Sequence, residues 1–163
     1  METLYLNKTA ELKRTKSNLE KEFDVKINIQ GKKVTIDGKA INEFEATQVI
    51  EAIDFGFSTE NALLLKDPNN AFRKIHIKEF TKRPLEDIQG RLIGKRGKTR
   101  KTLEQLSDTY IIINNGEVGI IGNIESIETA ITAITNIIRG SKQTNAYKYL
   151  ERVNRSKKED IKQ

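Results

Sequence analysis

The stretch with the clearest chemical capacity is Leu92-Ile93-Gly94-Lys95-Arg96-Gly97-Lys98-Thr99-Arg100, followed by Lys101, in which two glycines bracket two cations and three more cations come directly after. Glycines three apart permit a tight turn and remove the Cβ atoms that would hold a sugar-phosphate backbone at a distance. Side chains between them project outward. The stretch also leads into a helix N-terminus, where unpaired N–H groups and the positive dipole end favour phosphate. Little else in the chain offers chemistry. The absence of cysteine removes disulfides, thiolate zinc sites and cysteine nucleophiles together. The single histidine, His76, leaves no two-histidine metal face, and it falls on the polar side of a strand, where an exposed, inert role is expected. No catalytic residue, metal site or cofactor is therefore expected, and the chain reads as a non-enzyme. Gly97-Lys98-Thr99 has the ending of a nucleotide-binding P-loop, but the first glycine of that motif would have to stand at Leu92. No strand ends in a magnesium-binding aspartate either, because Tyr110-Ile111-Ile112-Ile113 runs into Asn114-Asn115.

Composition supports a polyanion partner. The chain of 163 residues is 32% charged and 36% hydrophobic, and no window approaches the roughly 20 apolar residues of a membrane span. Met1 to Asn18 is charged and broken, without the apolar core of a secretory leader, so a soluble cytoplasmic protein with no membrane role is expected. Charge is divided unevenly. Residues 1–70 hold ten Lys/Arg against twelve Asp/Glu, a net of −2, whereas residues 71–163 hold nineteen against eleven, a net of +8. A basic excess confined to one half points to nucleic acid as that half's partner.

The elements that must position the loop are legible because the chain repeats itself. At a constant shift of 84 residues, Leu19, Glu20, Asp24, Ile27, Ile29, Val34, Ile36 and Gly38 fall on Leu103, Glu104, Asp108, Ile111, Ile113, Val118, Ile120 and Gly122. The match continues through Ala46, Ile50, Ile53 and Gly56 onto Ala130, Ile134, Ile137 and Gly140. In the second copy, periodicity predicts a strand at Lys74–Phe80, a helix from Pro84 to Leu92, a helix at Lys98–Ser107, strands at Thr109–Asn114 and Glu117–Ile121 around an Asn115-Gly116 turn, and a helix carrying Ile124, Ile127, Ile131, Ile134 and Ile138. The order is β-α-α-β-β-α. The first copy is predicted to have a strand at Thr3–Leu6, a helix at Ala10–Phe23, strands at Val25–Ile29 and Lys33–Ile36 and a helix at Glu43–Asp54, with no room for the first helix. Short helices, Thr59–Lys66 and Thr144–Asn154, follow each copy. The expected organisation is an α+β protein with units at 1–67 and 71–155, joined by the turn-rich Asp67-Pro68-Asn69-Asn70, and a frayed tail at 156–163.

A Gly94-Lys95-Arg96-Gly97 loop preceded by Leu-Ile within this order resembles the type I KH domain, a single-stranded nucleic-acid module whose G-x-x-G loop clamps the backbone. The longer string to Arg100 resembles the archaeal two-KH ribosomal-RNA-processing proteins related to the eukaryotic "partner of Nob" family, along nearly the whole chain, including Phe57-Ser58-Thr59-Glu60-Asn61-Ala62 and Tyr149-Leu150-Glu151-Arg152. The resemblance implies two tandem KH-like units, the first degenerate and lacking the loop, because Ala10-Glu11-Leu12-Lys13 stands at the aligned position. It implies RNA-binding residues Ile93, Gly94, Lys95, Arg96, Gly97, Lys98, Arg100 and Lys101, with a groove wall including Leu103 and Ile111 to Ile113. It further implies binding of small-subunit (16S) rRNA near its 3′ end, in rRNA processing and ribosome assembly, alongside a maturation endonuclease. Arg100 departs from the common KH pattern, in which an aliphatic residue is usual. Two other readings stand beside this one: a KH-like protein-interaction scaffold with a solvated basic turn, and a general RNA-binding protein not dedicated to rRNA. The ten aromatics are scattered, with Phe44, Phe55, Phe57 and Phe72 assigned to packing, so recognition is expected to rest on backbone clamping and aliphatic base contacts.

Overall fold

The computed structural model describes residues 1–162, which divide into two compact units, residues 1–72 and the chain from Arg73 onward. In the first unit β1 (Glu2–Tyr5), α1 (Ala10–Phe23), β2 (Val25–Gln30), β3 (Lys33–Gly38) and α2 (Ala40–Phe55) follow in order. The sheet is antiparallel in the order β1-β3-β2, with Leu4 opposite Val34 and Ile27 opposite Ile36. Leu12, Leu19 and Phe23, on one face of α1 at helical spacing, are buried together with Ile27, Val34, Ile36, Val49 and Ile50. Asp24, in the left-handed region at φ 52°, ends α1 and releases the chain into β2. The Ile27 N–H then donates to Glu20 Oε2 at 2.9 Å, fixing the helix to the strand.

Two expectations for this unit change. Phe44 is 58% exposed and outside the core, because it lies roughly half a turn around α2 from the buried Ile53. Phe55, Phe57 and Phe72 do form a cluster, with ring centroids 5.6–6.1 Å apart. The helix expected over Thr59–Lys66 is α3 (Thr59–Ala62), capped by Ser58 Oγ accepting from the Asn61 N–H, and it tightens into a 3₁₀ turn at Leu63–Lys66.

β4 (Asn70–His76) straddles the division between the units and starts earlier than its apolar alternation suggests. It ends at His76, and Ile77–Glu79 is a 3₁₀ turn where strand was expected, although Ile75 and Ile77 are buried and His76 is exposed as read. Then come α4 (Leu85–Ile93), α5 (Lys98–Ser107), β5 (Thr109–Asn114), β6 (Glu117–Asn123), α6 (Ile124–Ile138) and α7 (Gln143–Lys162). The sheet order is β4-β6-β5, which leaves β5 as an edge. Helices α4, α5 and α6 pack on one another, with α5 against β5 and α6 against β6. In α6 the buried row is Ile127, Ala130, Ala133, Ile134, Ile137 and Ile138. Ile124 is 52% exposed and Ile131 only half-buried, so the buried face is rotated from the isoleucine stripe read in the sequence. The carbonyls of Ile137 and Ser141, at the end of α6, accept from Arg91 Nη1 and Nη2 at 3.0 and 2.6 Å and tie α4 to α6.

Helix α7 corrects the expected tail. Ala146 and Leu150 are buried, Asn154 Nδ2 donates to the Leu106 carbonyl at 2.9 Å, and the helix continues to Lys162 instead of fraying after Asn154. Residues 152–162 contain neither glycine nor proline and are mostly good helix formers, so nothing local stops it. The last residue, Gln163, lies outside the described residues. No helix among the described residues is long and apolar enough to cross a membrane.

Candidate nucleic-acid interface

The glycine-flanked bend joins α4 to α5. Gly94 closes α4: its N–H donates to the Gly90 carbonyl at 2.8 Å, and its φ of 75° with ψ of 177° is a conformation essentially reserved for glycine. Packing imposes the same choice, because a Cβ on Gly94 would collide with Thr99 Oγ1 and stand 2.8 Å from the Thr99 backbone nitrogen. Thr99 is itself buried and fills the space that the absent Cβ leaves. Lys95 to Gly97 make one 3₁₀ turn, closed by the Gly97 N–H on the Gly94 carbonyl at 3.2 Å, with Arg96 left-handed at φ 56° and ψ 27°. Gly97 is also left-handed, at φ 75° and ψ 14°, but a Cβ there would meet only the flexible ends of Arg100 and Lys101, at ordinary contact distances of 3.9 and 4.0 Å. The two glycines are therefore required for different reasons, the first by packing and backbone and the second by backbone alone.

Gly97 is the N-cap of α5 and supplies no side chain to the first turn, so no side chain caps that helix, although the Lys98 N–H already donates to the Lys95 carbonyl. Lys95, Arg96, Lys98 and Lys101 are exposed, and their side chains make no hydrogen bond or ion pair among the described residues. They are thus four exposed cations without a partner among the described residues, next to a helix N-terminus, an arrangement whose charge suits a polyanion. Ile93 is 36% exposed at the rim.

The residues assigned from the sequence are not equally exposed there. Leu103 and Ile111 are 2% and 1% exposed, built into the helix–sheet core, and so cannot serve as groove wall. Ile112 and Ile113 are half-buried. Arg100 is committed within the unit: Nη1 lies 2.8 Å from Glu104 Oε1 and 3.4 Å from the Ile111 carbonyl, while Glu104 Oε2 accepts from the Ile111 N–H at 2.9 Å. Arg100 and Glu104 together therefore occupy both outward-pointing peptide groups of Ile111 on the β5 edge. Sequence reading missed Glu104 and Tyr110. Glu104 was marked only as a repeat position, yet its recurrence as Glu20 could have signalled the bond it makes. Tyr110 is 44% exposed and, with Lys101, Glu104, Gln105, Asp108 and Thr109, lines a cleft of about 300 Å³ between α5 and β5. The P-loop reading loses its remaining support, since the bend follows a helix and not a strand. Among the described residues no cluster of His, Cys, Asp or Glu could hold a metal ion.

Comparison with known proteins places the second unit in the KH family. Residues 71–155 match the model of the PNO1-type second KH domain, a eukaryotic type KH-domain (KH-domain type I). The KH domain-containing protein MJ0443 of Methanocaldococcus jannaschii is 30% identical over 145 residues, 84% of this chain, and the chain spans 64% of the length of that relative. Among solved structures, Dim2p of Pyrococcus horikoshii is 32% identical with a TM-score of 0.85, over 93% of this chain and 98% of that one. The same organism's aDim2p, in a complex with a/eIF2alpha and rRNA, gives 31% and 0.86 over 95% and 94%. A protein of unknown function from Aeropyrum pernix gives 26% and 0.86 over 99% and 94%.

Proposed function

Because the chain belongs to the type I KH-domain family, we propose that it binds single-stranded RNA and grips the backbone between Gly94 and Gly97, with Lys95, Arg96, Lys98 and Lys101 facing the phosphates. The observation that carries this reading is the bend itself, a turn uncrowded at Gly97 and flanked by exposed cations at a helix N-terminus without a side-chain cap. RNA strands are held by KH loops through such close backbone approach. The protein acts by binding and not by catalysis.

The first unit is a degenerate KH-like unit in tandem with the second. Three features support this: the shared order of helix, strand, strand and helix, left-handed Asp24 and Asp108 at matching helix ends, and the bonds from Ile27 to Glu20 and from Ile111 to Glu104. Where the second unit has its loop, the first continues as α1, with Leu12 1% exposed in the core, so no clamp exists there.

The RNA is small-subunit (16S) rRNA near its 3′ end, and the role is in rRNA processing and ribosome assembly alongside a maturation endonuclease. A relative captured with rRNA supports the choice of RNA. Fluorescence anisotropy with single-stranded RNA from that 3′ end, against a scrambled strand, tests the reading. Replacing Lys95 and Arg96 by Ala should weaken binding and flatten the log–log salt dependence by about 1.4, at about 0.7 per lost phosphate contact. No saturable binding at low ionic strength would favour a protein-interaction scaffold. Equal affinity for the scrambled strand would favour a general RNA binder.

A further inference from the structure

We propose that Arg100 selects the base seated beside the clamp, favouring a nucleobase that presents two adjacent hydrogen-bond acceptors. This inference rests on the RNA-binding reading above and adds a specificity to it.

The floor between the bend and the β5 edge is ionic where an aliphatic side chain would make it apolar. Arg100 spans that floor. Its Nη1 is held by Glu104 Oε1 at 2.8 Å and touches the Ile111 carbonyl at 3.4 Å, while Nη2 lies 3.9 Å from where a Cβ on Gly97 would stand. The guanidinium is thus pinned at one end and reaches the clamp at the other. Its side chain keeps 30% exposure, and neither Nη2 nor Nε donates a hydrogen bond among the described residues. Ile111 cannot offer a base its own peptide groups, because Glu104 Oε2 takes the N–H and Arg100 covers the carbonyl. A base entering from the clamp therefore meets a planar fork of donors, and such a fork pairs with two neighbouring acceptors: the O6/N7 edge of guanine or the O2/N3 edge of cytosine. Adenine, whose amino donor sits beside both N1 and N7, fits it less well.

The first unit indicates that Arg100 is not needed to hold the fold. There Glu20 alone takes the Ile27 N–H at 2.9 Å, and Lys16, at the position matching Arg100, makes no ion pair or hydrogen bond among the described residues. The carboxylate is the common structural device. The arginine is present only in the unit that carries the bend.

The test uses the full chain and short oligouridines carrying one central adenine, cytosine or guanine. The wild type should bind the guanine or the cytosine strand at least about fivefold more tightly than the adenine strand, the size of one good two-point base contact. Arg100→Leu should erase that preference and leave salt-dependent binding in place. Arg100→Lys, which keeps the charge and loses the fork, should retain the wild-type salt slope without the preference, and it serves if the leucine variant fails to fold. A preference that survives both substitutions, or a wild type that ranks the three strands equally, overturns the proposal while RNA binding stands. A wild type that binds none of the strands overturns the RNA-binding reading itself. A purely structural arginine would lower the melting temperature and leave the ranking unchanged.

Discussion

Gly97→Asp separates backbone approach from fold integrity, because the structure limits what the substitution costs each. At φ 75° and ψ 14° the residue is left-handed, and only Arg100 Nη2 at 3.9 Å and Lys101 Cε at 4.0 Å approach the new Cβ. An L residue in that region costs about 1–2 kcal/mol, with Asp among the best tolerated, so the fold should lose about 1 kcal/mol. The melting temperature should fall by about 4–8 °C. Binding loses more. A carboxylate about 4 Å from a phosphate is repelled by about 1 kcal/mol in bulk water and by about 4 kcal/mol at an effective permittivity of 20. Kd should therefore rise by roughly fivefold to a thousandfold. The new carboxylate would also compete for Arg100 and Lys101, which adds to the loss. Anisotropy titration with single-stranded RNA and a thermal melt of the same sample read both quantities, and Gly97→Asn, isosteric with Asp, similarly tolerant of the left-handed region and uncharged, isolates the electrostatic part. An unchanged Kd for Gly97→Asp with a melt within a few degrees of wild type would refute the reasoning.

Gly94→Ala should behave in the opposite way, damaging the fold first, since its Cβ meets buried Thr99 and its backbone lies where only glycine is at ease. A loss of about 3 kcal/mol or more is expected in chemical denaturation. Arg91→Ala should cost about 2–4 kcal/mol by uncovering the Ile137 and Ser141 carbonyls, with RNA affinity unchanged in the folded fraction. In the first unit, hydrogen bonds from Arg14 and then Thr59 hold the Glu11 carboxyl below its ordinary value of 4.5. A folded-state value lower than the unfolded one gives stability that is present above pH 4.5 and is lost as the pH falls through the folded value. Glu11→Gln should accordingly flatten the acid limb of a stability–pH profile below 4.5 and leave RNA binding at neutral pH intact.

Local signals were strong where side-chain period and backbone punctuation coincided. Helices at Ala10–Phe23 and Lys98–Ser107 and the strand at Thr109–Asn114 fall where periodicity places them, because each ends at a left-handed residue or a hairpin turn. Elements whose limits depend on packing were harder to read. Helix α7 outruns its buried residues without any breaker to stop it, and β4 gives way to a 3₁₀ turn although its apolar alternation continues through Ile77. Phe44 shows the same limit, since an aromatic residue in an amphipathic helix carries no mark of which way it faces. At the candidate site, glycine spacing and charge located the bend, whereas the state of each cation was not legible. Arg100 and Lys101 are adjacent and chemically alike in the sequence, yet one is held by Glu104 and the other has no partner among the described residues, a difference created by the approach of β5 to α5.

The most direct test is to follow backbone amides by NMR while single-stranded RNA is titrated into the isotopically labelled protein. The largest shift changes should fall on Gly94 through Thr99 and the first turn of α5, with Ala10 to Lys13 of the first unit unmoved. Saturable binding that leaves those bend amides silent and perturbs another surface would contradict the claim that the Gly94–Gly97 turn grips the strand.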